Sequence, residues 1–418
     1  MQFTGDPKVS FYPFLGIEIQ DVSFAANSGE VDAKPILSMP RLKAKLSITS
    51  ALSGKVVIDE FQFIRPKFNL TIFEDGKTNW AFAEGQMWQA LEEASQIRQA
   101  TQTNDSPDIN QLNNVKLGRF IVSDGTIEHK NRLTDTTETV TNFDGTLNWP
   151  NVRSNWQFNG SGIWRGDDFK VSHSAQTPVM LLAGGQSTVQ TEINSKTLNL
   201  SFDGEANRLS NFFLKGKFSA NSPSLRGLIE FFGGQAGVGA SFSNFGAAGD
   251  ISGTLKDLQL ENALIELDDN SYKGGLRVSS VEDATRISGT LAGDQVDLDP
   301  YFRGATSLES IGSIYGILAQ SNLDIRLSAS SIKLDGFELT DFAGGMIVKD
   351  RRLKLDIGNG SLAEGIVIGS IELEQTDEHY SVVTNVNAGG VNPTAIGFLE
   401  NFSGIRPNGR SDVTIKLT

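Results

Sequence analysis

Few residues in this chain have the type and spacing to do chemistry. There are three histidines, His129, His173 and His379, and no cysteine. The histidines lie far apart in polar strand patterns, and none has a second histidine at the spacing a zinc site needs. Each reads as a surface histidine. The lack of cysteine removes disulfides, thiolate metal sites, iron–sulfur clusters and cysteine nucleophiles. No Gly-x-Ser-x-Gly elbow and no P-loop occurs. Gly358-Asn359-Gly360-Ser361-Leu362-Ala363 has the dinucleotide-fingerprint spacing, but that motif works by holding a pyrophosphate at a helix N-terminus. Here the apolar run Ile366-Val367-Ile368 follows, another strand, so the glycines read as a β-turn. Asp268-Asp269-Asn270 begins like a calcium loop but lacks its glycine and closing glutamate, and also reads as a turn. Lys349-Asp350-Arg351-Arg352-Leu353-Lys354 is the densest basic segment. A hairpin tip is its first reading and contact with anionic headgroups the second. Carboxylates are plentiful and no pair stands out. The residues point to no catalytic group, no metal and no cofactor, and the chain reads as non-enzymatic.

The elements around these residues are mostly strands. Asn199–Phe202, Leu323–Leu327 and Val413–Leu417 alternate apolar and polar residues, the period of a strand with one apolar face. Turn-forming residues such as Glu74-Asp75-Gly76, Asp124-Gly125 and Gly358-Asn359-Gly360 separate the runs. A more specific unit recurs: two apolar residues two apart, a two-residue slip, then two more. Its copies are Ile17, Ile19, Val22, Phe24; Val56, Ile58, Phe61, Phe63; Val115, Leu117, Phe120, Val122; Leu258, Leu260, Ala263, Ile265; and Ile332, Leu334, Phe337, Leu339. A strict strand would turn the second half of each to the wrong face, so the slip residues, Asp59-Glu60, Gly118-Arg119, Glu261-Asn262 and Asp335-Gly336 among them, predict a bulge or kink. The copies are unevenly spaced, which excludes a solenoid of fixed period.

Helices are few. Residues 86–100 carry Met87, Leu91, Ala94 and Ile97 on one face, and a polar loop follows over 101–114. Ser222-Pro223 opens a second helix through Leu225, Leu228, Ile229 and Phe232, with serine as N-cap and proline at the first helical position. Asp299-Pro300 and Asn392-Pro393 repeat that start, and 308–319 is a further short candidate. The Gly/Ala/Phe-rich stretch 233–249 reads as an irregular link between an N-terminal part, 1–232, and a C-terminal part, 250–418.

Composition narrows the function classes. The chain has 418 residues, 36 basic and 50 acidic, for a net charge of −14. With no basic stripe, that charge argues against nucleic acid. No run approaches the 18 apolar residues of a membrane-spanning helix, and no signal peptide follows Met1. The aromatic content is 26 Phe against 5 Trp and 5 Tyr, which supplies apolar bulk rather than the platforms that stack sugars, so a glycan-acting enzyme is disfavoured.

Several segments, in order, resemble the AsmA-like family of Gram-negative envelope proteins. They are Phe11–Val22, Gly54–Phe61, Arg65–Leu70, Asp75–Trp80, Gly216–Ala220 with Ser222–Arg226, Leu258–Ala263 and Val296–Tyr301. The resemblance implies a periplasmic β-rich body on the inner membrane, supporting outer-membrane assembly and binding or transferring phospholipid. It further implies an N-terminal membrane helix ahead of Met1 and a chain that continues past Thr418. By residues alone, apolar faces closing on each other as a β-sandwich is the simpler arrangement. With the resemblance, the expected fold is mainly β: an elongated, curved, antiparallel-type sheet forming an open or half-open apolar trough, with a few short helices. The expected groove residues are Ile58, Phe61, Phe63, Leu117, Phe120, Ile332, Leu334 and Phe337, with phospholipid acyl chains as partner. The alternative is a structural or regulatory β-protein that binds envelope proteins without lipid.

Overall fold

The computed structural model describes residues 7–10, 15–24, 34–52, 57–80, 116–207, 212–236, 242–281, 284–302, 322–334, 336–375, 380–392 and 410–417. The fold is mainly β. Two compact units divide between Gly216 and Lys217, inside a strand, Phe213–Ser222, and ahead of the stretch where a link was expected. Part of that stretch is itself strand, from Phe245 onward.

The first unit contains β1 (Lys8–Ser10), β2 (Gly16–Phe24), β3 (Leu37–Leu46), β4 (Ile58–Ile64), β5 (Lys67–Ile72), β6 (Lys116–Asn131), β7 (Thr136–Asn151), β8 (Trp156–Trp164), β9 (Asp167–Ala175), β10 (Gln186–Ser195) and β11 (Asn199–Asn207). Neighbours pair antiparallel, except that β4 and β5 both run parallel to β6. A parallel pair cannot be closed by a hairpin and needs a crossover of a dozen or more residues. The expected helix 86–100 and loop 101–114 fall in that connection, outside the described residues.

β12 (Phe213–Ser222) spans the division. The second unit continues with β13 (Phe245–Thr254), β14 (Asp257–Leu267), β15 (Asn270–Val281), β16 (Ala284–Asp297), β17 (Asn322–Leu334), β18 (Phe337–Lys349), β19 (Arg352–Leu362), β20 (Gly365–Gln375), β21 (Tyr380–Val391) and β22 (Ser411–Leu417). Here β16 and β17 are the parallel pair. The expected helix 308–319 lies in their connection, and most of the one expected from Asn392-Pro393 lies beyond β21. Both fall outside the described residues.

The described helices are short. Ser224, not Ser222, caps Leu225–Phe231: its hydroxyl accepts from Gly227 N at 3.0 Å. Ser222 instead stabilises the approach, accepting from Ser224 N at 3.2 Å. Asp299–Phe302 begins at the Asp-Pro expected to start it.

The phase slips are real breaks in four copies of the repeated unit. Asp21 has φ 48°, Gly118 φ 93° and Asn262 φ 50°, and the β3–β4 register shifts between the pairs of Ile58 and Glu60. The fifth copy is different. Leu334 pairs with Phe337, so β17 and β18 are joined as a tight hairpin at this point, with Asp335 outside the described residues; an Asp-Gly pair is the sequence that favours such a connection most. Asp124-Gly125 and Gly358–Gly360 correct the opposite way: both lie inside long strands, at register irregularities, rather than in turns.

Candidate apolar binding face

Strand register decides which side chains share a face, because residues directly opposite across a ladder point the same way. In the first unit the paired residues run Ile17, Ala44, Phe61, Phe120, Leu147, Phe158, His173, Thr191, Phe202 from β2 to β11. The row two residues along runs Ile19, Leu42, Phe63, Val122, Gly145, Gly160, Val171, Ile193, Leu200. The glycines leave no gap, since the Phe158 ring lies over both positions, 3.2 and 2.8 Å from where their Cβ atoms would be. Between these rows, on the opposite face, come Glu18, Lys43, Gln62, Ile121, Thr146, Asn159, Ser172, Glu192 and Ser201. The sheet is therefore apolar on one side and polar on the other.

The second unit repeats the arrangement. Leu258, Val278, Ile287, Leu323, Val348, Leu353, Leu373 and Val382 form one row. Ile251, Leu260, Leu276, Gly289, Ile325, Met346, Leu355 and Ile371 form the next. The intervening row on the other face contains Arg277, Ser288, Asp324, Lys354 and Glu372, with Ile347 and Val383 as exceptions.

Five expected groove residues fall in the first unit. Phe61 and Phe120 stack at 5.3 Å and Phe63 and Phe120 at 6.5 Å. Phe61 and Phe63 pack beside the buried Val22, Met39 and Leu42. Ile58 pairs with Leu46 at the bulge end of β4. Leu117 lies apart from this group, against Trp149, Val152 and the helix Pro178–Leu182. Three others fall in the second unit. Leu334 and Phe337 face each other at the hairpin end. Ile332 is a core residue, 6% exposed, packed with Val296 and Ala329.

Solvent exposure is the informative property of the faces. Phe61, Phe63, Phe120, Val122, Leu147, Phe158, Val171 and Ile193 are all half-buried. The inner face of a closed sandwich would be sealed by its opposing sheet. Full burial is confined to patches, such as Val22 with Met39 and Val348 with Leu353.

Polar groups border the apolar rows. Glu138 accepts from Trp164 Nε1 at 2.8 Å and from Arg165 Nε at 2.9 Å, with Arg165 Nη2 closing a fork. Those bonds pull its carboxyl down to about 2. His129, directly opposite Glu138 in the β6–β7 ladder, lies 6.0 Å from the Trp80 ring. His173 is not a surface histidine. It is half-buried on the apolar face, bonds Thr191 Oγ1 at 2.8 Å, and burial lowers its pKa. Its signal in the sequence was an alternating strand, which leaves open the face to which a histidine is turned. His379 is outside the described residues.

The remaining motifs resolve as structure. Asp268-Asp269 turns between β14 and β15, and the Asp268 carboxylate accepts from Phe242 N at 2.9 Å and Ser243 N at 2.7 Å. The basic segment is the β18–β19 hairpin tip, where Arg352 pairs with Glu374 at 2.9 Å. Among the described residues no cluster of His, Asp or Glu has metal-site geometry, and no helix is long and apolar enough to cross a membrane.

Comparison with curated proteins gives no match. The model of the AsmA family matches residues 1–289, which spans the whole first unit and the second as far as β16. The chain belongs to the AsmA family.

Proposed function

We propose that this protein binds phospholipid acyl chains along its apolar sheet faces and serves, without catalysis, in assembly of the outer membrane on the periplasmic side of a Gram-negative inner membrane. Family membership supports a bacterial envelope protein. The observation that carries the lipid reading is the pair of apolar rows running from β2 to β11, in which Phe61, Phe63, Phe120, Val122, Leu147, Phe158, Val171 and Ile193 stay half-buried while Leu42 and Phe202 are buried. Moving a two-chain lipid with roughly 30 methylenes out of a bilayer forfeits on the order of 25 kcal/mol of burial, at about 0.8 per methylene. A carrier must restore most of that, which takes a continuous apolar surface many strands wide rather than a single pocket. On this reading each face is the floor of an open trough, with Phe61, Phe63 and Phe120 as floor residues and the polar opposite face in water.

Lipid extraction and native mass spectrometry of protein purified from a bacterial membrane test this. Phospholipid bound in stoichiometric amount is the expected result. Protein that is folded and lipid-free from such a preparation favours the alternative, a scaffold for envelope proteins.

A further inference from the structure

A hydrogen-bonding spot is built into the apolar face of the first unit. Trp149, 7% exposed, and Trp156 meet edge to face at 5.4 Å, and Trp156 meets the His173 ring at 5.8 Å. Trp149 is two residues from Leu147 in β7, and Trp156 two from Phe158 in β8, so both indoles lie on the apolar side. Both indole N–H groups are buried, and among the described residues neither has a hydrogen-bond partner. A buried indole N–H ordinarily finds an acceptor, and leaving one unpaired costs more than a made bond returns. Indole nitrogen only donates, so the missing group is an oxygen acceptor.

The surroundings narrow its chemistry. Trp149 packs with Val152, Leu117, Leu147 and the helix residues Met180 and Leu182. These neighbours are apolar, and a phosphate or carboxylate drawn out of water among them would be costly. A neutral carbonyl oxygen suits two uncharged donors. Leu147, Trp156 and Met180 beside the enclosed indole nitrogens are half-buried, and Leu147 continues into the row that pairs it with Phe120.

We infer, resting on the lipid reading above, that Trp149 and Trp156 donate to the ester carbonyl of a glycerolipid whose acyl chain lies against Leu147 and Phe120. An ether-linked lipid has the same chain without that oxygen. The test incubates the full chain with vesicles of equal diacyl and dialkyl phosphatidylcholine of one chain length, re-isolates the protein and quantifies bound lipid by mass spectrometry. Enrichment of the diacyl lipid by roughly five- to tenfold is expected, the worth of a hydrogen bond or two. The double substitution W149F/W156F keeps two rings in place and brings the ratio near one without loss of total lipid. A wild-type ratio near one with lipid bound, as when only water occupies the indoles, overturns the carbonyl site and leaves the acyl-chain reading intact. No lipid of either kind overturns both. In a parallel arm, displacement of the diacyl lipid by equimolar free fatty acid overturns the ester assignment in favour of the acid.

Discussion

Glu138 is the residue whose electrostatics are best defined. Its carboxylate takes three hydrogen bonds from Arg165 and Trp164, all of which favour the ionised form. The folded pKa of about 2 lies below the ordinary 4.5. A depressed carboxylate contributes stability that is fully present above the unfolded pKa and is lost as pH falls through the folded one. Wild-type protein should therefore exceed Glu138→Gln in stability at pH 6, with the gap closing between about pH 4.5 and pH 2. The pair is roughly one-third exposed, so screening holds the gap to on the order of 1 kcal/mol. Denaturant titrations of both proteins at several pH values check this, and a gap that persists unchanged at pH 2 would contradict it.

At the scale of elements, the notable feature is a crease across the first unit. Asp21 in β2, Arg65 between β4 and β5, Asp124 in β6 and Asn142 in β7 all have φ between 48° and 54°. They are neighbours across the sheet: Arg65 N donates to Ser123 O at 2.8 Å, and Asp124 N to Asp144 Oδ1 at 3.1 Å. Pro40 lies opposite Asp21, between the pairs Gln20–Arg41 and Val22–Met39, where a missing N–H costs the ladder little. The crease reverses the side-chain phase, and that keeps Val22 and Met39 on the same face as Ile19 and Leu42. Asp and Asn tolerate the left-handed region better than other non-glycine residues, and β-branched residues tolerate it worst. Asn142→Gly should thus be neutral or slightly stabilising, and Asn142→Val should cost about 1–3 kcal/mol. Gly118 is stricter, with φ 93° and a would-be Cβ 2.5 Å from Asp59 O. Gly118→Ala should lower the melting temperature clearly, by several degrees, while Gly76→Ala, with open space around it, should be milder. Thermal melts of the variants decide both comparisons.

For the whole molecule, charge placed on the apolar rows separates floor from core. Phe61→Glu and Phe337→Glu put a carboxylate on half-buried positions, where water can still reach it. We expect these variants to fold and to carry less phospholipid. Ile332→Glu buries its charge in a packed cluster and should unfold the protein, since an unpaired buried charge is among the costliest substitutions. Melting temperature and bound lipid, measured on the same samples, distinguish the cases. Phe61→Glu that unfolds would mark a sealed core, and Phe61→Glu that folds with undiminished lipid would refute its role as floor. Circular dichroism of the full chain should be strand-dominated, and helix above the one-third usual for globular domains would contradict the fold.

What the sequence determined by itself is local and periodic. Alternation identified the strands around Asn199–Phe202 and Leu323–Leu327. The two-residue slips identified the breaks at Asp21, Gly118 and Asn262, because a phase change in an apolar row has few physical causes. Sequence could not tell a bulge from a hairpin between Leu334 and Phe337, nor a turn from a crease at Asp124-Gly125, since the same small polar residues serve both. The Ser-Pro start signal put the helix cap at Ser222, whereas the backbone sets Ser224 at the helix start. Only the tertiary structure decided which strands are neighbours, and face membership follows from that pairing. It joined Phe61 to Phe120 across a parallel ladder between residues distant in sequence, turned His173 inward beside Trp156, and sank Ile332 into a core while leaving Phe61 half-open. A periodicity specifies that a strand has an apolar side. What lies against that side is set by long-range pairing, which no local pattern encodes.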